Sequence, residues 1–163
     1  MTRAMALRIG LGWALAQGCS PARPAFPDEH AAAVRDSVQA AMTLFQEYSA
    51  RAQWDSLAGL YSAAASFRFL ESGTIRYGSR QEVREALASL PPGTSVRTTY
   101  RDLQIEPVGP GAAMVTGLFE TTFADSAGQG FGFAGGLSLL WIHEPDGWRI
   151  RSGHSSSPVP RRT

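Results

Sequence analysis

The chain has 163 residues, enough for one domain with a terminal extension and for a sizeable buried core. Its 44% hydrophobic and 18% charged content excludes disordered and collagen-like classes. Fifteen basic residues, all arginine, nearly cancel 14 acidic ones and are interspersed with them, so the one-sided basic excess that nucleic-acid binding requires is missing. The absence of lysine and asparagine reads as the coding bias of a GC-rich genome.

Arg3 and Arg8 open a short positive region, followed by the uncharged run Ile9-Gly-Leu-Gly-Trp-Ala-Leu-Ala16, too short to span a bilayer. The run ends in Leu15-Ala-Gln-Gly-Cys19, which resembles a bacterial lipoprotein signal with Cys19 as the lipidated first residue. Ala16 stands where that motif prefers leucine, and Ala14-Leu-Ala16 also fits plain cleavage and secretion. Both readings imply export to the periplasm or cell envelope, with the membrane reached only through the Cys19 anchor. Removing residues 1–18 leaves 13 arginines against 14 acids, so the mild basicity belongs to the signal. A single cysteine allows no intrachain disulfide, and stability must come from the core.

Residues 19–30 carry three prolines and read as a tether. A helix is predicted from Ala31 to Arg51, because Val34, Val38, Met42, Phe45, Tyr48 and Ala52 recur every three or four residues. A shorter helix begins near Trp54, with Leu57, Leu60 and Tyr61 on its buried side. Ser66-Phe-Arg-Phe-Leu-Glu71 alternates as a strand, broken at Gly73, and Ile75 and Tyr77 suggest a short second one. Ser79-Arg-Gln-Glu82 is a capping box for a third helix, which stops at Pro91-Pro92-Gly93. Four strands follow, at 96–106, 113–123, 131–143 and 148–156, separated by glycine-rich turns that favour antiparallel hairpins. Helices segregated from strands in this way argue an α+β domain over residues 31–156, with a tail at 157–163.

Two helices, then Trp54-Asp-Ser-Leu-Ala-Gly-Leu-Tyr61, a strand and a capped helix resemble the first half of the nuclear transport factor 2-like superfamily. The ending Asp146-Gly-Trp-Arg-Ile-Arg-Ser-Gly-His-Ser155 is similar to the last strand of its SnoaL-like branch. The resemblance implies a cone-shaped, cystatin-like roll: a curved antiparallel sheet packed on three N-terminal helices around a pocket. Relatives include isomerases, cyclases, dehydratases, ligand binders and oligomeric assembly domains, so function must be argued from the site. In ketosteroid isomerase, similar in fold, an aspartate base stands on the first strand. Counted from Tyr61, that position falls on about Phe69, which cannot take a proton.

Taking Glu144–Gly147 as a turn puts His143 opposite Trp148, Trp141 opposite Ile150 and Leu139 opposite Ser152, with Leu137 and His154 on the same face. His143 and His154 then stand about 20 Å apart along that face, too far to share a metal. With no HxxxH spacing and no cysteine pair, neither a metal nor another cofactor is expected. His154 and Glu71, which shares a strand face with Phe67 and Phe69, are the candidate catalytic bases. The bland alternatives are a hydrogen-bonded core histidine and a wet strand end. Tyr48, Trp54, Tyr61, Phe69, Tyr100 and Trp141 are candidates to line a pocket for a small hydrophobic molecule, although any one of them fits a plain core equally well. Leu140 and Ile142 fall on the opposite sheet face with no helix to cover them, and a homodimer through that face is expected.

Overall fold

In the computed structural model, which describes residues 28–158, helix α1 spans Asp28–Ala50 and buries Val34, Val38, Ala41 and Met42. Their spacing of three and four makes one continuous stripe, and Asp28 and Glu29 place carboxylates against the unpaired N–H groups of the first turn. The helix starts at Asp28, so residues 28–30 of the expected tether are helical. The signal, Cys19 and the last residues of the tail lie outside the described residues. Ala52, expected on the buried stripe, is instead exposed, with φ 53° at the turn into helix α2, Trp54–Gly59.

Strands β1 (Arg68–Glu71) and β2 (Thr74–Tyr77) form a hairpin whose two-residue loop has φ 48° at Ser72 and 87° at Gly73, the sign a tight hairpin needs at both positions. Helix α3 (Arg80–Ala88) follows its expected cap. Ser79 Oγ accepts from the Glu82 N–H at 3.2 Å, while the Glu82 carboxylate accepts from the Gly78 N–H at 2.8 Å, one residue upstream of the position expected.

The rest is a meander of β3 (Ser95–Gly109), β4 (Ala112–Ala124), β5 (Gly130–Glu144) and β6 (Gly147–Ser156). The six strands form one curved sheet in the order β2-β1-β6-β5-β4-β3. β3 continues through Pro107, which an edge strand tolerates because one row of its backbone groups is unpaired. All pairings are antiparallel except β1 with β6, which is parallel. The reason is connectivity. Short turns force reversal from β3 to β6, whereas β1 reaches β6 through no turn. Its direction is set by the segment after α2, where Ile150 N–H donates to Leu60 O at 2.8 Å and Ser62 N–H to Ile150 O at 2.9 Å.

Among the described residues the sheet has four register shifts, of which two fall in the middle of the meander's pairings. In β3, Arg101 faces Leu118 but Gln104 faces Thr116, with Asp102 at φ 52°. In β6, Trp141 faces Ile150 but Leu140 faces Ser152, so Arg151 is an extra residue. One inserted residue exchanges the two faces of everything beyond it. Leu139 therefore faces Gly153, and His154 turns outward and is exposed, away from the face that holds Trp141. This corrects the placement of His154 with the tryptophans. The core lies between α1 and the inner sheet face, where Val38, Met42, Phe67, Val115, Trp141 and Ile150 are almost fully buried.

Candidate functional site

Above that core the inner face of the sheet diverges from the helices and leaves a cavity of about 200 Å³. Alternation along β4 sends Phe119, Thr121 and Phe123 inward, and β5 contributes Phe133, Leu137 and Leu139. α1 supplies Phe45 and Ser49, α2 supplies Trp54 and Leu57, and α3 closes one side with Leu87, while Leu90 beyond it adds to that wall. Gly153 is what leaves room on β6. A Cβ there would stand 2.5 Å from the Phe69 ring and 3.0 Å from Leu139.

Tyr61 is the hub of an aromatic wall. Its ring meets those of Phe45, Phe67 and Phe69 edge-on at 6.2, 5.8 and 6.2 Å, the arrangement that ring quadrupoles favour. At the opposite end Phe123 stacks on Phe131 at 5.1 Å, and Phe119 meets Phe133 edge-on at 5.8 Å. Phe131 is 65% exposed, so this second group marks the open mouth.

Few polar groups enter this space. Thr98 and Thr121 hydrogen-bond to each other at 2.9 Å, and Ser49 Oγ is used on Phe45 O at 2.8 Å. The hydroxyls of Tyr61 and Tyr100 have no protein hydrogen-bond partner among the described residues. Burial, and then the neighbouring Tyr100 and Tyr77, push the Tyr61 phenol far above its ordinary range. Burial does the same to Tyr100. Both are therefore neutral O–H groups near neutral pH, able to donate to an acceptor in the cavity.

Glu71 is the sole carboxylate among the lining residues. It stands on the wall beside Ser155, its β6 partner, and forms an ion pair with Arg76 at 3.3 Å. Its side chain is 43% exposed, so it sits at the rim.

Of the six aromatic residues expected to line a pocket, Trp54, Tyr61, Phe69 and Tyr100 do so. Tyr48 is half-buried and packs against the core outside the cavity. Trp141 is 0% exposed, one layer deeper between Ala113 and Ile150, because inward positions near the narrow end of the sheet are covered by α1. His143 is exposed and meets Trp148 edge-on at 5.2 Å. Leu140 and Ile142 are half-buried on the outer face, beside the more exposed Met114 and Leu118. Sequence reasoning missed Phe119, Phe123 and Phe133. The alternation of β4 and β5 contained that signal once each strand's inward parity was known.

Comparison with known proteins agrees with this architecture. The sequence model of the SnoaL-like domain matches residues 38–160. No curated protein sequence matches the chain. Among solved structures, a candidate dehydratase of the nuclear transport factor 2-like family from Streptomyces avermitilis superposes with a TM-score of 0.66 at 21% identity, covering 78% of this chain and 98% of its own. A nuclear transport factor 2-like superfamily protein from Salmonella enterica gives 0.66 at 18% identity, covering 81% and 96%. A protein with a cystatin-like fold from Caulobacter vibrioides gives 0.60 at 14%, covering 77% and 90%. At such identities the likeness establishes the fold alone. With the domain match spanning well over half of its length, the chain belongs to the SnoaL-like domain family.

Proposed function

We propose that this domain binds a small, largely apolar molecule carrying one hydrogen-bond acceptor, as a binding or accessory module. The observation that carries the reading is the pair of tyrosine hydroxyls. Both line a largely apolar cavity, and no protein group satisfies either among the described residues. Neither hydroxyl oxygen is among the fully buried unpaired atoms, so both open to the cavity, where a ligand oxygen would accept from them. Acetophenone is small enough for the space and offers one carbonyl. Calorimetric titration of Tyr61→Phe and Tyr100→Phe is expected to show its affinity falling about fivefold for each, the size of one neutral hydrogen bond. If the double variant binds acetophenone as tightly as the parent, the reading fails.

Catalysis is the weaker reading. Of the two bases the sequence offers, His154 lies on the outer face, and Glu71 is half exposed and occupied by Arg76. What remains in its favour is that Glu71 does line the cavity.

The uncovered outer row of Met114, Leu118, Leu140 and Ile142 supports a homodimer through this face. Ile142→Arg would place a charge in such an interface while leaving the inner-face core untouched. Sedimentation velocity is expected to show a dimer for the parent and a monomer for the variant, and identical sedimentation of the two would remove the assignment.

A further inference from the structure

We infer that the ligand of this cavity is an amphiphilic organic cation, with its positive nitrogen at the Glu71 rim and its apolar body among the aromatic rings. The inference rests on the binding role proposed above and adds the sign of the ligand's charge.

The charge inventory of the cavity is one-sided. Among the described residues no arginine or histidine lines it, and Glu71 is the one side chain there that carries a full charge. Burial keeps the Tyr61 and Tyr100 phenols neutral. An anion entering would meet the Glu71 carboxylate and the electron-rich faces of aromatic rings, and the nearest cation, Arg76, is already paired with that carboxylate at the rim. A cation gains from both, since a ring face and a carboxylate attract it together. A neutral ligand is indifferent to Glu71.

The position of Glu71 fits this division of labour. In register it pairs with Ser155, and Phe69, two residues earlier on the same strand face, pairs with Gly153. Phe69 reaches Tyr61 at 6.2 Å. The wall thus runs from the carboxylate at the rim, past Phe69, to the tyrosine hub, and one molecule can touch all three. About 200 Å³ suits one substituted ring, given that an apolar cavity of about 150 Å³ takes benzene.

The rim already holds a cation. Arg76 sits 3.3 Å from the Glu71 carboxylate, and its guanidinium lies over the Tyr77 ring at 5.2 Å. More than half of the Arg76 side chain is exposed, and an exposed ion pair of this kind is weakly held. A ligand cation that is held partly by desolvated rings can displace it. Arg76 is therefore a competitor, and deleting it should strengthen cation binding rather than weaken it.

Three probes of one shape test the sign of charge: 3-hydroxyphenyltrimethylammonium, its uncharged counterpart 3-tert-butylphenol, and 3-hydroxybenzenesulfonate. Each carries an oxygen for the tyrosine pair. Titration calorimetry on the purified protein is expected to give the ammonium about tenfold tighter binding than the phenol, the scale of one partly desolvated cation–π contact aided by a carboxylate. The sulfonate should bind weakest. Glu71→Gln should narrow the gap between ammonium and phenol, leaving the part the rings supply, and Arg76→Gln should widen it. If the phenol matches or exceeds the ammonium, or if Glu71→Gln leaves the gap unchanged, the cation inference is overturned while the binding role stands. If none of the three probes binds, both are overturned.

Discussion

Trp141→Ala is expected to lower stability by about 3–5 kcal/mol, while Trp141→Phe should cost no more than about 1 kcal/mol. The side chain is 0% exposed and lies in the core cluster between Ala113 and Ile150. Truncation to alanine opens a cavity that the surrounding sheet and α1 cannot close, so the loss combines transfer free energy with lost contacts. Phenylalanine also leaves a gap, but it removes a liability. The indole Nε1 is buried with no hydrogen-bond partner among the described residues. An unpaired buried donor costs about 1–3 kcal/mol, and the parent already bears that cost. Urea denaturation of the three proteins checks this. Equal losses for Ala and Phe would mean that the indole N–H is satisfied in solution. Acetophenone affinity should survive Trp141→Phe, because Trp141 lies one layer below the cavity.

Glu144→Gln is expected to cost about 2 kcal/mol near neutral pH, with the difference vanishing in acid. Ser62, 0% exposed, donates from Oγ to Glu144 Oε1 at 2.5 Å. Arg151 donates to the same carboxylate oxygen at 2.9 Å through Nη2, and to Ser62 Oγ at 3.0 Å through Nε. Burial pushes the Glu144 carboxyl up, but the bonds from Ser62 and Arg151 and the Arg151 charge outweigh it. The net result lies below the ordinary 4.5. A carboxyl depressed in the folded state stabilises the fold fully above its unfolded pKa. That contribution is lost as pH falls through the lower, folded value. Denaturation of parent and variant should therefore give curves that differ at about pH 7 and converge towards about pH 3. A gap of constant size would show that Glu144 acts through shape alone. The clasp matters for the site because Ser62 follows Tyr61, and because Arg151 is the inserted residue of the β6 bulge.

That bulge marks where reading the chain residue by residue stops being enough. The hairpin at Glu144–Gly147 placed His143 against Trp148 and Trp141 against Ile150, as found. Alternation continued without interruption then put His154 inside. Arg151 breaks the alternation to reach Glu144 and Ser62, and Ser62 is 89 residues away along the chain. Nothing local to β6 announces such a partner. The parallel pairing of β1 with β6 is of the same kind, since no turn joins those strands.

By itself the sequence determined the element order, the buried stripe of α1, the cap of α3 and the antiparallel meander. Each depends on contacts within one turn of helix or one hairpin, and periodicity, caps and turn residues report those directly. Of the four cavity aromatic residues legible in the sequence, Trp54, Phe69 and Tyr100 lie on an inward face that their own element defines, while Tyr61 follows α2 in the segment bridged to β6. Tertiary structure alone decided which aromatic residues are wall and which are core, and where the strand parity reverses. Those outcomes depend on how far α1 covers the sheet and on hydrogen bonds between distant segments, and neither leaves a period in the chain.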